Sequence, residues 1–466
     1  MPGQESTLVI VGAGGDLSRR FLLPALGHLL ATEPDRRVRL VGASRRRDPG
    51  WGQIVATAFA AQDGPAVVAT QASAAWVAAD VARPDGWRQI LEAAGEPATI
   101  YLALGPVQAH AACEALSRIG VPAGTRLVFE KPFGRGAAAA VTLNELAIGL
   151  VGEANVFRVD HFLATPVVLA SPVLRFGNRV LAAVWDAEHI ERVTVLWDEA
   201  LGLAGRGEFY DATGAVRDMI QSHLLQVLAA VIMEPAAGEG GQERAVREAL
   251  DSLSVWDDPR ALRRARWTSG TIGGEPARAY ADEPGVVASR ETETLAQVVM
   301  RSDLPRWRGV PLVLRSGKGL DADRRYVEIR FRAPGMLADA DGRATPGDVL
   351  RIDMLTGALE LDLVTADPAE PRTPVRVRLT GGIGTPSSPG GPDEHAVVTA
   401  SEAAIYGRVL KAVLDGDRTL SVSTEAAVRC WRLVEPILAG FGDGGVPLEE
   451  YPAGSAGPRG WDDVPA

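Results

Sequence analysis

The sequence predicts two domains of different class: an N-terminal α/β domain on a parallel sheet, then a larger α+β domain whose mostly antiparallel sheet is backed by helices. Three observations carry this. The apolar run TLVIVG at 7–12 stops at a glycine turn and passes into FLLPALGHLL, where apolar residues recur at helical spacing. The apolar runs TIYLALGP at 99–106 and RLVFEKPFG at 126–134 also end in turns, as strands do at the ligand edge of a parallel sheet. From about residue 290 the runs ETLAQVVMRS, VPLVLRSG, YVEIRFRA, DVLRIDML and GALELDLV follow one another with turn residues between them. The first domain is thus Rossmann-like and dinucleotide-binding, expected over 1–165. The second is expected over 166–466.

At 466 residues, with 46% hydrophobic residues and a mean hydropathy of +0.04, the chain is long enough for two or three domains with large cores. No apolar run reaches the length of a membrane span. The N-terminus, MPGQESTLVIVGAGG, enters a strand without a charged leader, so a cytoplasmic protein that does not engage membranes is expected. Cys113 and Cys430 lie far apart and lack metal-ligand spacing, which points away from a disulfide framework or a structural zinc. A formal charge of -11 opposes binding to nucleic acid, while local arginines remain able to hold an anionic cofactor.

In the first domain, Gly12, Gly14, Gly15, Asp16 and Leu17 form a turn at which backbone can approach a pyrophosphate and a helix can present its N-terminal amides. The Gly12-x-x-Gly15 spacing departs from the usual G-x-G-x-x-G, and a plain glycine turn has the same form. The next strand, VRLVGA, leads through Ser44 to Arg45, Arg46 and Arg47, where an enzyme selective for NAD carries an acid for the ribose hydroxyl. Arginines there suit a 2′-phosphate and favour NADP; a solvated basic cluster is the alternative. Lys131-Pro132 ends the 126–134 run, and a lysine in that place is a candidate for the site. The helix AAAAVTLNELAIGL and the strand NVFRVD complete the domain.

The second domain opens with a helix over LASPVLRFGN and the strand ERVTVLWDEA, followed by the segment 208–226, EFYDATGAVRDMIQSHLLQ. Val216, Met219, Ile220, Leu224, Leu225 and Val227 give that segment a buried helical face, with Asp218 and His223 more than an α-helical turn apart. Taken alone, His223 also reads as a satisfied core histidine. A helix over ERAVREALDSL precedes the sheet, GGIGTPSSPGGPDEHA at 381–396 reads as a loop, and the helices AAIYGRVLKAVLDG and TEAAVRCWRLVEPILAGF come before the YPAGSAGP tail.

Segment 208–226 resembles the corresponding run of the glucose-6-phosphate dehydrogenase family. GAGGDLSRR, EKPFGR, RVDHFLA, LRFGNR, RWRGVPLVLRSGK and YPAGSAGP follow the family's motifs in the same order. The resemblance implies oxidation of a sugar at C1 to the lactone, with His223 as the base that takes the hydroxyl proton as hydride leaves for NADP. It implies Asp160 as the carboxylate that orients His223, and Lys131, Glu199, Asp218 and Lys318 as residues that hold the sugar. Lys131 and Pro132, joined by a cis peptide, also border the cofactor, and Arg45, in G-A-S-R, matches the family's 2′-phosphate ligand. Phe21 replaces a basic residue. A homodimer or homotetramer assembled through the sheet is implied in the same way.

The sugar-phosphate end departs from the family. DHYLGK has become Asp160 to Thr165, so Phe162 and Thr165 replace a tyrosine and a lysine and only His161 is kept. Asp323 stands where a second basic residue is expected, and Asp353 where the family has a sugar-binding glutamine. Two lost charge-assisted bonds predict a loss on the order of 10²- to 10⁴-fold in use of a 6-phosphate. The expected substrate is therefore a free or amino aldose. A glucose-6-phosphate dehydrogenase with a rearranged phosphate site, in which Arg324 or Arg325 supplies the cation, is the alternative, and a non-catalytic homologue acting as a regulatory or assembly partner is a third reading.

Overall fold

The computed structural model describes residues 6–465 except 96, 204, 237, 239, 334–346, 367–368, 370–373 and 383–393, with backbone alone over 394–401. Contacts between Cα atoms divide the chain into two compact units, Met1–Ala164 with Pro392–Val428, and Thr165–Gly391 with Arg429–Ala466. The helix Glu394–Asp415, counted in the second domain from sequence, therefore groups with the first.

The first unit holds six parallel strands: β1 (Ser6–Val11), β2 (Val38–Ser44), β3 (Ala75–Ala78), β4 (Ala98–Leu102), β5 (Arg126–Glu130) and β6 (Val156–Val159). Their order in the sheet is β3-β2-β1-β4-β5-β6. β1 and β4 are buried on both faces, which is why they read as continuous apolar runs rather than alternating ones. β3 has only four residues and none is fully buried, so it carries little sequence signal. Helices Trp51–Phe59, Pro65–Ala72, Pro84–Ala94 and Pro106–Ser117 add to those read from sequence. Three of them begin with proline, whose fixed φ and missing N–H suit the first helical position. Helix Leu23–Thr32 packs on helix Glu394–Asp415, and residues flanking it reach the same partner: Arg36 to Asp415 at 2.7 Å, Glu33 to Lys411 at 2.7 Å and the ring of Phe21, 5.4 Å from that of Tyr406.

The second unit contains β7 (Ile190–Asp198), β8 (Leu253–Val255), β9 (Leu262–Thr268), β10 (Gly270–Ile272), β11 (Glu275–Ala277) and β12 (Leu295–Ser302). It continues with β13 (Leu312–Gly317), β14 (Arg324–Phe331), β15 (Val349–Asp353), β16 (Ala358–Ala366), β17 (Pro374–Gly382) and β18 (Leu448–Pro452). The large sheet runs β17-β16-β15-β14-β7-β13-β12-β9-β18, with β8 also on β12. Its pairings are antiparallel except β7 with β13 and β9 with β18. Tyr210, Trp267, Tyr280, Leu295, Leu320 and Tyr451 share one core cluster, which joins the end of this sheet to the segment preceding His223. The stretch read as a loop at 381–396 lies largely outside the described residues; Gly382 ends β17 and Glu394 begins a helix.

The segment Val216–Leu224 is wound more widely than an α-helix, with π-type turns, and then passes into the α-helix Leu225–Ile232. Turns closed by i→i+5 bonds hold more residues than an α-helical turn. Asp218 and His223, five apart, therefore come nearer to a common face than α-helical spacing predicts. Among the described residues no helix is long and apolar enough to cross a membrane.

Candidate active site

After β1, Gly12 turns the chain with φ +86°, and a Cβ there would lie 2.4 Å from the Ala103 carbonyl oxygen, so the turn requires glycine. Its N–H donates to Ala43 O at 2.8 Å, and the Gly15 N–H donates to Gly12 O at 2.9 Å. A cleft of about 1100 Å³ opens beside this turn, lined by Gly12, Gly14, Gly15, Arg45 and Arg46. Asp16, Leu17, Lys131 and Pro132, also read as cofactor residues, fall outside that lining. The acid nearest the arginines in sequence, Asp48, is held by Arg19 at 3.0 Å. Trp76, which the sequence did not single out, borders the cleft and donates its indole N–H to Arg46 O at 3.2 Å. A backbone cradle beside an arginine turn fits a dinucleotide bearing a 2′-phosphate.

Elsewhere in the first unit the ends of adjacent strands gather polar side chains. Lys131 follows β5 and its bond to Pro132 is cis. Glu130, before it, accepts a hydrogen bond from the Tyr101 hydroxyl of β4, and burial pushes its carboxyl up to about 7. Asp160 follows β6, is buried, and accepts the Phe162 N–H at Oδ1 over 3.0 Å. The His161 ring stacks on Tyr406, with centroids 4.7 Å apart, and its Nδ1 is 3.1 Å from the Tyr406 hydroxyl. Phe162 is buried against His161. Thr165 is fully buried at the N-cap of helix Pro166–Phe176, so neither replacement presents a polar group to solvent.

In the second unit the sheet register determines the grouping. Asp198 pairs with Gly317 on one side and with Arg324 on the other, which brings Glu199, Lys318 and Asp323 to one end of three adjacent strands. Lys318 forms a salt bridge with Glu199, and its ammonium lies 5.7 Å from the Tyr210 ring centroid. Tyr451, from the YPAGSAGP tail, donates to Lys318 O at 2.7 Å. Burial, followed by the Asp218 charge, pushes the Tyr210 hydroxyl far up, so it remains protonated. His223 is buried on the π-wound segment. The residues in this unit missed from sequence are Tyr210 and Tyr451; both lie in motifs of the resemblance, but only the fold brings them to Lys318.

Asp323 is not set as a bare carboxylate. Oδ1 accepts the Ala200 N–H at 2.8 Å, and Oδ2 pairs with Arg325 at 2.9 Å. The Arg325 guanidinium lies 5.0 Å from the Trp197 ring centroid, and its Nε has no hydrogen-bond partner among the described residues. Arg324 instead faces Asp321 at 2.8 Å and Asp198 at 3.6 Å. Asp353 Oδ1 is taken up by its own turn, accepting from Leu355 N, Thr356 N and Thr356 Oγ1.

Models of two glucose-6-phosphate dehydrogenase domains match the chain, the NAD binding domain over residues 9–169 and the C-terminal domain over residues 172–466. The chain belongs to the glucose-6-phosphate dehydrogenase family. Glucose-6-phosphate 1-dehydrogenase of Mycolicibacterium smegmatis is 31% identical over 487 residues, an alignment covering 98% of this chain and 95% of the relative. The crystal structure of glucose-6-phosphate 1-dehydrogenase from Mycobacterium avium superposes with a TM-score of 0.81 at 28% identity, covering 98% of this chain and 96% of that one. A glucose-6-phosphate dehydrogenase in complex with its substrate glucose-6-phosphate gives a TM-score of 0.82 at 25% identity, covering 99% and 97%. Family membership makes the chain an oxidoreductase of carbohydrate metabolism with NADP as its cofactor, held by the first unit.

Proposed function

We propose that the chain is an NADP-dependent glucose-6-phosphate 1-dehydrogenase with a rearranged phosphate site, in preference to a dehydrogenase of a free or amino aldose. The pairing of Asp323 with Arg325 carries this reading. Because the carboxylate is already offset by a guanidinium, it does not repel a sugar phosphate as its bare charge would, and the guanidinium of Arg325 supplies a cation for that phosphate. The names of the relatives, all glucose-6-phosphate 1-dehydrogenases among the most similar, favour the same substrate.

NADP, when bound, supplies the hydride acceptor. His223 takes the proton from the C1 hydroxyl, and Asp160 stabilises the imidazolium in the role of the family's carboxylate. Lys131, Glu199, Asp218 and Lys318 orient the hydroxyls, and the salt bridge between Glu199 and Lys318 keeps those two ready for a neutral sugar ring. His161 keeps the phosphate role of the family's histidine, steadied by Tyr406. A homodimer through the large sheet is part of this reading, since the edge strand β17 exposes Val377 and Leu379.

Steady-state turnover of glucose 6-phosphate and of free glucose at fixed NADP tests the reading. A kcat/KM preference for the phosphate on the order of 10²-fold, lost mostly through KM in Arg325→Ala, is expected. Equal or better use of free glucose would return the function to a dehydrogenase of unphosphorylated sugar.

A further inference from the structure

Trp76 has no part in the chemistry described so far, yet its indole reaches both turns on which a dinucleotide would rest. The register of β2 on β3 sets it opposite Gly42. A Cβ at Gly42 would lie 2.7 Å from Cζ2 of Trp51 and 2.8 Å from Cε3 of Trp76, so both indoles lie on a bare glycine and require it. Trp51 opens helix Trp51–Phe59, is buried, and holds its ring 5.1 Å from that of Trp76. Fixed on these two sides, the half-buried Trp76 ring lines the cleft with what remains of it. One end meets the arginine turn, where the indole N–H donates to Arg46 O at 3.2 Å. The other meets the glycine turn, where a Cβ on Gly14 would lie 3.9 Å from Cη2.

Arg45, Arg46 and Arg47 are exposed and adjacent, and their mutual repulsion opposes any arrangement that gathers them around one anion. The main chain of their turn is nevertheless held at two places. Arg46 O accepts the Ser44 hydroxyl at 3.0 Å as well as the Trp76 N–H, and Asp48 is held by Arg19 at 3.0 Å. A loop fixed beforehand in its binding arrangement gives up less conformational freedom when the ligand arrives. We propose that Trp76 is a positioning residue for cofactor choice: through its bond to Arg46 O it sets the turn so that Arg45 meets the 2′-phosphate of NADP. This rests on the reading of Arg45 as a ligand of that phosphate. The contact with the glycine turn serves NADP and NAD alike, since both carry the pyrophosphate. The bond to the arginine turn serves NADP alone.

The test is equilibrium binding of NADP and of NAD to the full chain, by calorimetry, for wild type, Trp76→Phe, Arg45→Ala and the double variant. Phenylalanine keeps a ring over Gly42 and lacks the N–H. In Trp76→Phe the Kd for NADP should rise by about fivefold, the scale of one neutral hydrogen bond, while the Kd for NAD stays near wild type. In the Arg45→Ala background the same change should have a smaller effect on the ratio of the two, because the group it positions is gone. A ring with a merely structural role weakens both nucleotides equally, which overturns the proposal. So does an unchanged Kd for NADP, and so does an undiminished effect in the double variant. Trp76→Met, which also lacks the donor and fills space over Gly42, is read in the same way if Trp76→Phe does not fold. A ratio that Arg45→Ala alone leaves as in wild type shows instead that the reading of Arg45 has failed, and the proposal with it.

Discussion

His223 is 1% exposed, so its imidazole is shielded from bulk water and its proton traffic depends on neighbouring groups. Replacing it with Asn keeps polarity and approximate size while removing the proposed base. Sugar and NADP binding should persist in His223→Asn while kcat falls roughly 10²- to 10⁴-fold, measured by steady-state kinetics beside equilibrium binding. Turnover equal to wild type would transfer the proton role to another residue. For the cofactor, Arg45 lines the cleft at the place where a 2′-phosphate would be read. Arg45→Ala should narrow the preference for NADP over NAD by on the order of tenfold or more, chiefly through the KM for NADP, as expected for one charged contact.

At the scale of elements, the π-wound segment carrying Asp218 and His223 depends on how it starts. Gly214 has φ +68°, and a Cβ there would lie 2.4 Å from Oε1 of Glu293, the oxygen that accepts the Val216 N–H at 3.0 Å. Burial raises the Glu293 carboxyl, so its bonds to main-chain N–H groups matter for keeping it in place. Gly214→Ala is therefore unfavourable in both backbone conformation and space. It should lower thermal stability by more than about 1 kcal/mol and reduce kcat/KM for the sugar, while leaving Kd for NADP near wild type. Loss of NADP affinity in step with sugar turnover would show that the damage is not confined to this segment.

For the whole molecule, the edge of the large sheet makes the clearest demand. β17 alternates Val375, Val377 and Leu379 with Arg376 and Arg378, and Arg378 is paired with Asp362 at 2.7 Å and with Glu360 at 3.0 Å. Val377 and Leu379 remain exposed on the intervening positions, a liability for an edge strand unless another surface covers it. Light scattering should give a mass that is a multiple of the 49.2 kDa chain, and Leu379→Asp should shift the population towards the single chain at low protein concentration. An unchanged mass in that variant would place the subunit contact elsewhere.

The strand-turn-helix at Gly12 and the succession of strands β12 to β16 were legible in the sequence from local chemistry, glycine where φ must be positive and apolar residues at the period of their element. The cis Lys131-Pro132 bond followed from the family resemblance instead. The tertiary structure alone decided which distant side chains meet. Asp323 reaches the Ala200 N–H because β14 lies against β7 in a register that no local pattern encodes, which occupies Oδ1 while Oδ2 pairs with Arg325. Tyr406 is 245 residues from His161 in sequence, and it reaches that ring because helix Glu394–Asp415 packs in the first unit and not in the second. Asp218 and His223 come nearer to a common face because the helix is wound by i→i+5 turns, which apolar periodicity does not record. A sequence names the groups available to a site; the charge each finally presents depends on partners brought in by sheet register and helix packing.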